Sequence, residues 1–149
     1  MRDAHIRVII SATYRPPERS YLMHWSWKIV HGTNPAVVPS LPGVDIEWVH
    51  PAAAASLEAA KQMVHAFDMG GLHTPPALRS LHNERQAIDM TIGWNGTVTI
   101  TDARGAPVRI TSLPRTGMNR ALQAVGASYG VTKFIGGESD KPHWSTTGR

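Results

Sequence analysis

Three short segments of this 149-residue chain hold residue types at spacings that suit chemistry. In Ser80-Leu81-His82-Asn83-Glu84-Arg85-Gln86-Ala87-Ile88-Asp89 an imidazole precedes a carboxylate that falls within an apolar run. In Ser139-Asp140-Lys141-Pro142-His143-Trp144 an acid stands three residues before a His, with Pro142 stiffening the tie. In Ala12-Thr13-Tyr14-Arg15-Pro16 an Arg follows a β-branched run. Two His and one Asp suffice as the protein ligands of catalytic zinc and leave a fourth position for water. Such a site also needs a base near the metal but not on it. Asp140 is the candidate, and Glu138, five residues before His143, is the weaker substitute. An Arg fork grips a substrate carboxylate with two parallel hydrogen bonds. Arg15 fits that task, with Arg79 as its alternative.

Composition narrows the field. The chain has no Cys, which excludes disulfide frameworks, thiolate zinc fingers, iron–sulfur clusters and cysteine nucleophiles. Eight His then direct any metal chemistry toward imidazole and carboxylate. The net charge of +4 favours polyanionic surroundings, but the basic residues are dispersed, so nucleic acid is not an expected partner. No apolar stretch approaches the roughly 20 residues of a membrane span, so no membrane insertion is expected. The start, Met1-Arg2-Asp3-Ala4-His5, lacks the apolar region of a secretory signal. Synthesis in the cytoplasm without a signal peptide is the expectation.

The elements that must position these residues can be read from periodicity. His5–Thr13 is β-branched and extended, and Pro17 opens a helix to Val30 with Leu22, Trp25 and Ile29 on one face. Gly32–Gly43 is a loop and Asp45–His50 a short extended stretch; Pro51 then opens a second helix to about Asp68. Residues 87–111 read as β structure, with Asn95-Gly96 as a hairpin turn between Ala87–Trp94 and Thr97–Thr101, followed by Val108–Thr111. Gly117–Tyr129 is a third helix, Val131–Ile135 a last strand and Gly136–Arg149 a polar tail. In the 87–94 strand, Ile88, Met90 and Ile92 share one face while Ala87, Asp89 and Thr91 share the other. The whole, residues 1–149, reads as a single α+β domain with an antiparallel sheet and flanking helices. Trp25 and Trp27 are expected in a core, Trp94 exposed or wedged under the turn, and Trp144 lining a cleft beside His143. His24, His31, His50, His65 and His73 have no ligand spacing and read as structural or surface residues.

Taken jointly and in order, the motifs resemble the zinc D-alanyl-D-alanine peptidases, the LAS-type group of peptidoglycan carboxypeptidases, dipeptidases and phage endolysins. Ser80, His82, Ala87 and Asp89 match that family's S-x-H-x-x-G-x-A-x-D motif. Asp140 and His143 match its E/D-x-x-H motif, and Tyr14-Arg15-Pro16 its Y-R-P segment. The resemblance implies a Hedgehog/DD-peptidase-like fold and one Zn²⁺ per chain, bound by His82, Asp89 and His143. It makes Asp140 the base that activates water and later protonates the leaving amine. Arg15 then steadies the substrate and the developing oxyanion, while Ser80, Tyr14 and Trp144 become substrate-binding residues. The implied reaction is hydrolysis of a peptide bond in peptidoglycan stem peptides, with the enzyme reaching the cell wall after release or dedicated delivery. The alternative is a non-hydrolytic metal-binding module that recognises wall polymer or a protein partner. No motif here encodes an oligomeric state. Two positions depart from the pattern: Arg85 replaces the motif Gly, and Asp140 replaces the Glu of many members.

Overall fold

The computed structural model of the protein describes residues 5–149; Met1-Arg2-Asp3-Ala4, which hold most of the chain start read above, lie outside the described residues. The architecture is mixed α+β, with three α-helices and antiparallel strands. Two compact units are present: Arg15–Ser80, and the chain up to Tyr14 together with Leu81–Arg149.

The Arg15–Ser80 unit is helical. Helix α1 spans Pro17–Val30 and opens with Pro at its first position, where the missing N–H is no loss. Helix α2 spans Ala53–Ala66. Met23 and Trp27 of α1 bury against Met69, with Val64 and Phe67 packed alongside. The Trp27 indole N–H donates to the Leu72 carbonyl. Asp45–His50 forms no regular strand.

The other unit contains the sheet. Strands β1 (Arg7–Ala12), β2 (Ala87–Gly93), β5 (Thr132–Lys133) and β6 (His143–Ser145) lie in the order β1-β2-β6-β5, every pair antiparallel. Ile92 and Trp144 bury in a core with Ile6, Trp94, Val98, Ile100, Ile110, Leu122 and Val125, and Ile88 and Met90 pack against it. The opposite faces of β2 and β6 carry Asp89 and His143, as side-chain alternation requires.

Two expectations are corrected here. Asn95-Gly96 does not join two paired strands, although Gly96 takes the positive φ of 67° that such a turn uses. It passes the chain from β2 to β3 (Val98–Thr101), which pairs instead with β4 (Pro107–Ile110) in a separate two-stranded sheet. The hairpin turn is Asp102–Ala106, where the Asp102 carboxylate accepts from the main-chain N–H groups of Arg104 and Ala106. The polar tail is the second correction: Gly136–Arg149 supplies β6, an interior strand of the main sheet. All three β6 residues are buried, so the alternation that betrays a half-buried strand is absent.

Helix α3 (Arg120–Ser128) begins three residues later than its apolar pattern suggests, because buried Asn119 caps it. The Asn119 carbonyl accepts from Ala121 and Leu122 N–H, and its amide donates to the Ser112 and Pro114 carbonyls. Trp94 belongs to the core rather than the surface. Gly126 of α3 lets Trp144 approach: a Cβ there would stand 3.0 Å from the Val131 carbonyl oxygen and 3.1 Å from the Trp144 ring.

Helix propensity alone says that Gly126→Ala should stabilise by about 1 kcal/mol. Crowding of a main-chain carbonyl and a buried indole opposes this by about 1–3 kcal/mol. Gly126→Ala is therefore expected to lower the urea midpoint, whereas Gly70→Ala, with open space around it, leaves the midpoint unchanged or raised.

Candidate metal centre

Asp89 and His143 are direct partners across the β2–β6 ladder, which puts their side chains side by side on one face. His82 arrives from the turn before β2. That turn is a single helical coil closed by hydrogen bonds from Gln86 N–H to the Leu81 carbonyl and from Arg85 N–H to the His82 carbonyl. The pattern is that of a Schellman motif, whose penultimate position takes a left-handed backbone and is usually Gly. Arg85 occupies it with φ 60°. Arg85 thus adopts the left-handed turn that glycine usually supplies at this position.

The three side chains converge. His82 Nε2 lies 3.2 Å from an Asp89 carboxylate oxygen, His143 Nδ1 lies 3.0 Å from the same oxygen, and the two nitrogens are 3.3 Å apart. Both imidazoles are anchored from behind. His82 Nδ1 is 2.7 Å from the Thr13 carbonyl oxygen, and His143 Nε2 is 3.0 Å from the main-chain oxygen of Arg149. Those oxygens only accept, so each takes an N–H, and the inward nitrogens of the neutral rings carry lone pairs. Three acceptors this close repel unless a cation or shared protons sit among them. Fixing the outer nitrogen on a carbonyl is also how proteins orient histidine ligands toward a metal. His82, Asp89 and His143 can hold a metal ion.

Burial pushes the Asp89 carboxyl up, but hydrogen bonds and charge from His82 and His143 outweigh it and hold the group below its ordinary value. The two imidazoles are almost fully buried, while the Asp89 side chain keeps 18% exposure. The site is closed at the imidazoles and partly exposed at the carboxylate.

Sequence reasoning missed Lys133. Its buried ammonium donates to the main-chain oxygens of His143 at 2.9 Å and Asp140 at 3.2 Å, and stands 5.5 Å from the centre of the Trp144 ring. Burial draws its pKa down, and the nearby charges of Asp140 and Asp89 oppose that fall. One cation thus ties both ends of the Asp-x-x-His segment. The only hint in the sequence is a Lys inside the apolar run Val131–Ile135.

The remaining expected site residues are placed as follows. Asp140 closes a one-turn 3-10 segment, Gly137–Asp140, half-buried and outside the three-residue cluster. Glu138 is exposed and pairs with Lys141 at 3.6 Å. Alternation along β6 turns Trp144 to the face opposite His143, where it is 1% exposed in the core and contributes to the lining of a pocket shared with Tyr14 and Arg85. Exposed Tyr14 lies under the Arg85 guanidinium, 4.4 Å from the ring centre. Arg15 and Ser80 are the first and last residues of the helical unit, which also holds Arg79. The five other histidines named above join no such cluster; His31, for example, stacks on Trp27 at 3.5 Å.

Two outcomes are expected. An Asp89 carboxyl held below its unfolded value contributes stability that is complete above that value and is lost as pH falls through the lower folded one. Urea midpoints of metal-free protein between about pH 2 and 6 should therefore show an acid-side loss that shrinks in Asp89→Asn. Lys133→Met should weaken metal binding by about 10–100-fold in calorimetric titration, the range for groups that orient ligands.

The chain matches no family model, no curated protein and no solved structure.

Proposed function

We propose that the protein is a zinc peptidase of the LAS type, hydrolysing a peptide bond in peptidoglycan stem peptides. The observation that carries the proposal is the convergence of three lone-pair donors, with both imidazoles pinned by main-chain oxygens. Donors about 2.0–2.1 Å from a tetrahedral zinc ion stand about 3.3–3.4 Å apart, close to the 3.0–3.3 Å separations here. Imidazole and carboxylate suit zinc, and three protein ligands leave the open position of a catalytic rather than a structural site. The motif order from Tyr14 to His143 supports the same reading.

His82 Nε2, the Asp89 carboxylate and His143 Nδ1 would hold the ion. When bound, zinc supplies a Lewis acid that polarises the scissile carbonyl and makes water acidic enough to attack at neutral pH. The chain's own residues do the rest. Asp140 takes the proton from the attacking water on its carboxylate and delivers it to the leaving amine, a task suited to a group tied three residues from a ligand. Lys133 keeps that segment in register through its two main-chain hydrogen bonds. Arg15, by the motif match, steadies the substrate and the developing oxyanion. Because the bond cleaved is in the wall, the net charge of +4 assists approach to an anionic polymer.

The test is turnover of purified peptidoglycan and of synthetic stem peptides by zinc-loaded protein. Asp140→Ala should bind zinc with wild-type stoichiometry and lose about 10²–10⁴-fold in rate, the usual contribution of a positioned acid–base group. Equal, negligible turnover by the two proteins would leave a metal-binding module that recognises wall polymer or a protein partner without cutting.

A further inference from the structure

The chemistry proposed above does not use Arg85, yet the fold takes trouble to place it. Its backbone sits at φ 60°, a conformation that carries a steric penalty for any residue with a Cβ. Its guanidinium lies on the Tyr14 ring, with 4.4 Å between the guanidinium carbon and the ring centre. Among the described residues it makes no ion pair with a carboxylate. A guanidinium stacked on an aromatic ring keeps its N–H edge free for a planar anion.

Tyr14 and Arg85 stand on the rim of a pocket of about 440 Å³ at the end of the sheet where β2 begins and β6 ends. Ile88, Val131 and Trp144 give it apolar walls, Gln86 and Thr146 add neutral polar groups, and among the described residues Arg85 is its one charged lining residue. Its Ile88 and Trp144 belong to the face of the sheet opposite Asp89 and His143, and the pocket is linked to the metal ligands through Thr13, which receives the His82 N–H, and through the turn that carries both His82 and Arg85. Thr146 fixes the rim by bonding Gln86 twice, main chain to main chain and hydroxyl to amide oxygen.

We propose that this pocket is an anion subsite in which Arg85, braced by Tyr14, binds a free carboxylate of the peptide held at the metal centre, separately from any group that Arg15 takes. The apolar walls receive the small aliphatic portion of the same residue. The subsite rests on the peptidase reading for the identity of its ligand, and it converts the Arg85 departure into a selector for carboxylate over carboxamide.

The test uses three synthetic stem pentapeptides: one with all carboxylates free, one amidated at the glutamate carboxylate, and one amidated at the C-terminus. Affinity for zinc-loaded protein is measured by calorimetry, with hydrolysis followed in parallel. In the wild type, one of the two amidations should weaken binding by about tenfold or more, the range for a hydrogen-bonded charge. In Arg85→Gln that difference should vanish, while zinc affinity stays unchanged. Arg85→Gly relieves the backbone while removing the charge, so it serves as the well-folded second variant and should behave like Arg85→Gln. A wild type indifferent to both amidations, or a preference that survives in both variants, overturns the subsite. So does failure of all three peptides to bind. Hydrolysis without carboxylate preference sinks the subsite and leaves the peptidase standing. Arg85-dependent binding without hydrolysis keeps the subsite and removes the peptidase.

Discussion

Three electron-pair donors have been brought to 3.0–3.3 Å of one another in a mostly buried place, and the surrounding structure reads as the means of holding them there. The pairing of Asp89 with His143 across β2 and β6 decides it. A one-residue slip would turn a carboxylate and an imidazole into the core and bring apolar side chains out. The register is therefore fixed by the opposite face, where Ile92 and Trp144 are buried and Ile88 and Met90 pack against the same cluster. Hydrophobic packing on one side of the sheet sets the donor geometry on the other.

The remaining supports restrain freedom that the sheet leaves. Main-chain oxygens of Thr13 and Arg149 select the tautomer and orientation of the two imidazoles. The Schellman turn brings His82 back over β2, and its left-handed position is filled at some strain by Arg85. Lys133 fastens the segment from Asp140 to His143 by carbonyls at both ends. Each of these is a polar device in a buried or half-buried setting, where unpaired groups are costly and paired ones confer rigidity.

Much of this was legible in the residues. The β-branched run before Tyr14 and the alternation around Asp89 marked strands β1 and β2, and the helices α1 and α2 were legible as helices. The buried face of α1 differs from the expected one, because Met23 and Trp27 rather than Leu22 and Trp25 pack the buried cluster. Of the expected α2 stripe, Ala60 is buried while Leu57 is exposed. The structure brings together the side chains of His82, Asp89 and His143, a set that was readable through the motif resemblance. Strand β6 was not, because three residues buried on both faces carry no period, and its polar neighbours disguised it as a tail. Asn95-Gly96 has the chemistry of a hairpin turn and the positive φ of one, but which strands pair is settled by long-range packing that a dipeptide does not encode. Trp144 is adjacent to His143 in sequence, which in a strand means opposite faces: it packs in the core and lines a pocket on the side away from the imidazole. Lys133 was invisible as a positioning group because its partners are main-chain oxygens, which no side-chain pattern records.

His82, Asp89 and His143 form a group that can hold a metal ion. Were both imidazoles neutral, with their outer nitrogens donating to main-chain oxygens, their inward lone pairs would face the carboxylate, and a metal ion would resolve that conflict while leaving a position open for chemistry. Anomalous scattering at the zinc edge, from crystals of zinc-supplied protein, tests this most directly. The expected result is one strong peak per chain, bounded by His82 Nε2, the Asp89 carboxylate and His143 Nδ1. A fully ordered cluster with no peak at its centre, or zinc bound only elsewhere, would contradict it.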